Sequence, residues 1–229
     1  MYVYIPPDIT IIPNATIDYL RNLDLCCIIL YMYHIKEKTT AETEVKRSRF
    51  IGILLPVQDE SEVKPLLSEI RKEYPNATHY CTALICGNIQ RSNDDGEPSG
   101  TAGLPMLECL RHAELDNVLL VVVRYFGGTL LGTGGLVKAY QSTANLTIES
   151  ATLTLPVEVN RYEVAVDYDY LNKIENLLQN ESTIVSREYG EQAYFTFDCE
   201  RDLTEEFLAL TAGKSSPQFT KSLIVEKEI

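Results

Sequence analysis

Two glycine-rich stretches hold most of the residues in this sequence that could do chemistry. Between Asn93 and Pro105 the run NDDGEPSGTAGLP sets Asp94, Asp95, Glu97, Ser99 and Thr101 among turn-forming glycines and prolines. Carboxylates and hydroxyls at that density can bind a cation, move a proton, or satisfy the amides of a turn and of the helix that follows. The spacing excludes the two sharpest versions of such a site. Read as a calcium-binding EF-hand loop, Ala102 falls where a bidentate glutamate is required; read as a nucleophile elbow, Glu97 stands where glycine must be.

The second stretch, VVVRYFGGTLLGTGGLVKAY over Val121 to Tyr140, places Gly127, Gly128, Gly132, Gly134 and Gly135 between an apolar run and a helical pattern. Unpaired amides at a helix start attract anions, and Arg124 before the glycines and Lys138 one turn after them could bring two cations to one phosphate. Neither nucleotide motif is present: Thr133 stands where a P-loop needs lysine, and Val137 where a dinucleotide fingerprint needs glycine. The alternative is a tight strand-to-helix connection, with Arg124 and Lys138 solvated or paired to Asp94, Asp95 or Glu97. His79, one of three histidines, is either a general base or a strand-end side chain with a backbone partner. Cys81 and Cys86 have no second cysteine pair to complete a zinc site, so no metal and no cofactor is expected.

The elements that must position these residues follow from periodicity. Phe50 to Val57 reads as a strand, and Val63, Leu66, Leu67, Ile70 and Tyr74 fall on one helical face. His79 to Cys86 is a strand, a polar loop runs to Gly103, and a helix opens at Pro105. Val118 to Val123 has the apolar content of a strand covered on both faces, and Leu136, Tyr140, Ala144 and Ile148 mark the next helix. Beyond Pro156, taken as the junction, an alternating strand at Tyr162 to Tyr168 leads into a helix at Leu171 to Leu178. Strands at Ile184 to Tyr189 and Ala193 to Cys199 meet at Gly190; a helix over Leu203 to Leu210 with Asp202 as N-cap precedes a strand at Phe219 to Val225. That order, β-α-β-β-α-β, is ferredoxin-like.

Residues 1–44 show no sustained period, and the first 31, ahead of Met32, are expected to be an extension or a mis-assigned start. The expected domains are therefore residues 45–155 and 156–229 of an α+β protein. No stretch has the length and apolarity of a membrane span, and the six cysteines (26, 27, 81, 86, 109 and 199) are scattered as reduced thiols would be, which suits a cytoplasmic protein. The net charge of −13 argues against a nucleic-acid partner, but the excess acid lies mostly beyond residue 151 and leaves the middle of the chain close to neutral.

The two glycine-rich motifs make the chain resemble the IMPACT/YigZ family, specifically its microbial two-domain branch, over about residues 45 to 151. The family's distinctive side chains fall here on His79, Asp94, Asp95, Glu97, Arg124 and Lys138. The resemblance implies a first domain like an α/β domain of a small-subunit ribosomal protein and of translocase elongation factors, a second like a neighbouring elongation-factor domain, and a role linked to translation. Eukaryotic members act on a starvation-responsive kinase pathway through an extra N-terminal domain for which these 229 residues leave no room, so that role is not expected here. The expected partner is RNA, the ribosome or a translation factor, with no DNA sequence specificity and no membrane. A non-enzymatic protein is favoured, and the alternatives are an enzyme acting on a small phosphorylated or acidic substrate at Asp95, Glu97 and His79, and a pure protein-interaction module.

Overall fold

The structure, a computed structural model, describes residues 32–229. The expected N-terminal extension, and Cys26 and Cys27 with it, lies outside the described residues. The described chain is α+β and contains two five-stranded sheets. In chain order the elements are β1 (His34–Ile35), β2 (Thr39–Val45), β3 (Ser48–Pro56), α1 (Val63–Glu73), β4 (His79–Cys86), β5 (Ile89–Asn93), α2 (Gly103–His112), β6 (Val118–Tyr125) and α3 (Thr133–Glu149). They continue with β7 (Leu153–Val166), α4 (Leu171–Glu181), β8 (Thr183–Tyr189), β9 (Ala193–Cys199), α5 (Thr204–Leu210) and β10 (Gln218–Glu228).

The first sheet has the order β2-β3-β6-β4-β5, with every pairing antiparallel. β6 lies in its middle because its first six residues are apolar without a break: Val118, Leu120 and Val122 pack with α2 and α3, while Leu119, Val121 and Val123 pack against α1. Burial on both faces is the usual mark of parallel sheets; here helices cover both faces of an antiparallel one. α1 is preceded by a 3-10 turn, Glu60–Glu62, that opens on a capping box, in which the Asp59 carboxylate accepts from the Ser61 N–H and the Glu62 carboxylate accepts from the Asp59 N–H.

In the second sheet β7 pairs with β9 and β10, and β9 with β8, all antiparallel. With α4 and α5 between its strands this is the ferredoxin-like order, and Tyr162, Val164, Phe195, Phe197, Ile174, Leu178 and Phe207 form its core.

Four expectations from the sequence need correction. The segment read as a polar loop contains the edge strand β5, and the supposedly aperiodic residues before 45 contain β1 and β2. Pro156 is no junction but part of the long strand β7, opposite Glu226 of β10. It lies outside the stretch Asn160 to Val166 that pairs with β9, so its missing N–H costs no ladder bond on that side. Asp202 accepts from the Thr204 N–H and hydroxyl, but the N-cap of α5 is Leu203.

α3 rests directly on β3 because Gly52 has no side chain. A Cβ there would stand 2.0 Å from Thr147 Oγ1 and 3.2 Å from Thr143 Cγ2. Gly52→Ala is therefore expected to cost about 1–3 kcal/mol through overpacking, read as a lower urea midpoint at unchanged slope.

Candidate functional site

The two glycine-rich stretches meet around one buried ion pair. Register sets Phe50 of β3, Arg124 of β6 and His79 of β4 side by side across three strands. The Arg124 side chain is 6% exposed and Glu97 only 3%, and Arg124 Nη1 donates to Glu97 Oε1 at 2.5 Å. The same oxygen accepts from the Tyr140 hydroxyl of α3 at 2.8 Å, and Glu97 Oε2 lies 3.8 Å from His79 Nε2. The guanidinium sits 5.3 Å from the Phe50 ring and 5.5 Å from the Phe126 ring, and its Nη2 reaches Ser48 Oγ at 3.4 Å. Its Nε is buried with no hydrogen-bond partner.

The loop carboxylates divide their work. Asp94 accepts from the N–H groups of Gly100, Ala102 and Gly103, and so closes the loop and caps the start of α2. Burial pushes its pKa up, but the three donations together outweigh burial and hold it below the ordinary value of 3.8. Asp95 turns the other way, accepting from the Tyr80 N–H at 2.7 Å and pairing with Arg71 at 3.2 Å. Its own carbonyl lies 2.8 Å from His79 Nδ1. Since a carbonyl only accepts, Nδ1 carries the proton and Nε2 faces Glu97. The Thr101 hydroxyl donates to the Pro98 carbonyl, and Ser99 is exposed.

His79, Glu97, Arg124 and Tyr140 thus converge, whereas the Asp95 carboxylate is turned away from them, towards the Tyr80 N–H and Arg71. An imidazole beside a carboxylate could relay a proton, but this carboxylate is closed off from solvent and already holds two donors. Cys81 Sγ, 3.3 Å from Tyr140 Oη, is no nucleophile either: burial foremost pushes its thiol up to about 12. Burial likewise raises the Tyr140 hydroxyl. Among the described residues no group of three or more His, Cys, Asp or Glu side chains could hold a metal, and no helix is long and apolar enough to cross a membrane.

Of the two sequence readings of Arg124, a phosphate contact or a pair with a loop carboxylate, the structure has the pair with Glu97. Its charge is neutralised inside the domain, so it cannot present itself to a phosphate together with Lys138. Lys138 is exposed on α3 and forms no ion pair among the described residues. α3 begins after Gly132 with no side-chain cap and no acidic residue in its first turn. Phe126 and Leu130, 45% and 84% exposed, stand on the connection leading into it.

Sequence reasoning missed the neighbour of that connection. Val45 pairs with Ser48, so Lys46 and Arg47 alone form the turn between β2 and β3, with φ of 47° and 67°. Two-residue turns of that hand favour Asn-Gly, and Lys-Arg carries no such signal. Gly127 packs on this turn so closely that a Cβ would stand 2.0 Å from the Arg47 carbonyl carbon, and its N–H donates to Ser48 Oγ at 3.1 Å.

Comparison with known proteins places these features in a family. The model of the Impact N-terminal domain matches residues 46–148. The chain is 37% identical over 206 residues to the IMPACT family member YvyE of Bacillus subtilis (strain 168), covering 86% of this chain and 94% of that protein. It is 39% identical over 156 residues to the IMPACT family member YigZ of Escherichia coli (strain K12), covering 66% of this chain and 76% of that one. A crystal structure of a hypothetical protein matches with a TM-score of 0.54 at 30% identity, over 83% of this chain and 97% of its own.

Two outcomes are expected from the buried network. Glu97→Ala strands the Arg124 charge and should cost about 3–5 kcal/mol; adding Arg124→Leu should recover part of that loss, measured as a double-mutant cycle in urea. Asp94→Ala should cost about 1–2 kcal/mol at neutral pH. Because its folded pKa is depressed, the Asp94 contribution is complete above the ordinary carboxyl value and lost as pH falls through the folded one. The gap between wild type and variant should therefore narrow below about pH 4.

Proposed function

The chain belongs to the IMPACT family, and on that premise we propose that it acts in translation by binding RNA, such as that of the ribosome, through the Gly-rich face of its first domain. The observation that carries this is the exposed connection from β6 into α3. The helix starts there with neither a side-chain cap nor an acidic residue in its first turn, and Lys138 stands exposed one turn in. Unpaired amides and a solvated cation favour a phosphate, and backbone contacts of that kind position an RNA without reading its sequence. The link to translation is what the family resemblance implies, and a cytoplasmic location goes with it. The second domain, where most of the excess acid lies, would be repelled by the same backbone and would face away from it.

Affinity capture of the full chain from lysate, with and without nuclease, tests the proposal. Partners that depend on RNA should vanish with nuclease, and a nuclease-resistant protein partner would replace RNA binding with a protein-interaction role. With purified single-stranded RNA, Lys138→Gln should flatten the plot of log affinity against log salt by about 0.7, the value of one lost phosphate contact. An unchanged slope in the folded variant would remove Lys138 from the interface.

A further inference from the structure

We propose that Lys46 and Arg47, at the tip of the β2–β3 hairpin, are phosphate-contacting cations of this face and occupy the place that the buried Arg124 cannot fill. The inference rests on the RNA-binding reading and supplies its missing charge. Both side chains are exposed, and neither forms an ion pair among the described residues, whereas Arg49, two residues on, is held by Glu42. Both backbones lie in the left-handed region, which L-residues with long side chains rarely adopt. Asparagine and glycine would form this turn with less strain, so the sequence carries two cations at a conformational cost.

Position gives that cost a use. The turn is locked to the Gly-rich connection by the close approach of Gly127 to Arg47 and by the Gly127 N–H donated to Ser48. The hairpin tip therefore lies against the segment that carries exposed Phe126 and leads to Lys138. Cations that follow a backbone beside an exposed aromatic ring are the equipment of single-stranded nucleic-acid binding, in which phosphates are neutralised and a base stacks. A free inorganic phosphate would have no use for the ring. The ligand class that fits is single-stranded RNA, bound without sequence preference.

The test uses the full chain and a short fluorescein-labelled oligouridylate, titrated by anisotropy across a salt series. Lys46→Gln with Arg47→Gln should flatten the salt slope by about 1.4, two contacts at about 0.7 each on a single strand. Lys46→Asn with Arg47→Gly should flatten it equally and also raise the Tm by roughly 3 °C or more, since a relaxed turn replaces a strained one. Lys64→Gln, a charge removed from α1 in the same domain, should leave both readouts where they were. Wild-type slopes retained by both folded double variants would overturn this inference while leaving RNA binding itself in place. An Asn-Gly variant no more stable than wild type would overturn the exchange of stability for binding. If the wild-type chain shows no salt-dependent binding, the RNA reading fails and this inference falls with it.

Discussion

The first domain is organised around the need to neutralise one charge. Arg124 continues the most apolar strand of the sheet, and its guanidinium lies between Phe50 and Phe126 with its side chain almost wholly buried. A lone cation in such a place would cost several kcal/mol. Glu97 has to be brought inward to meet it, which fixes the path of the whole loop from Asp94 to Gly103. Asp94 then closes that loop on its own amides and starts α2, and Tyr140 ties α3 to the same carboxylate. Two helices, a loop and three strands thus share one electrostatic constraint, and the carboxylates that look most like a reaction centre in the sequence are largely consumed in meeting it.

How much could be read beforehand depends on whether a residue's role is local. β4 was legible end to end, and the buried face of α1 residue by residue, because each announces itself through alternation or helical spacing. β5 was not, since IQRSN is a mostly exposed edge strand with no apolar alternation to detect. β2 does alternate, but its inward residues are Thr39, Ala41, Thr43 and Val45, and Thr43 is placed by a hydrogen bond to Thr143 of α3. That contact is invisible to any local window. The family and the α+β architecture were legible from the glycine-rich motifs and the order of elements.

The site divided along the same line. That a loop carboxylate such as Asp94 serves turn amides and a helix cap is a local matter and is weighed from the sequence. That Arg124 is buried is not, because an arginine at the end of a valine run can lie on either side of a surface and only its distant partner Glu97 decides. The basic turn at Lys46 and Arg47 escaped notice for the opposite reason. The residues that normally announce such a turn are absent, and their absence is what makes the position informative.

The place of β6 also bears on how the chain comes to be folded. It pairs on one side with β3 and on the other with β4, both made long before it. During synthesis the β2–β3 hairpin and the β4–β5 hairpin can each form locally, yet neither can join the other until β6 is available between them. Assembly is thus gated by contacts distant in sequence, which fold slowly and leave strand edges bare in the interval. Residue 125 is in effect the point in translation before which this sheet cannot close.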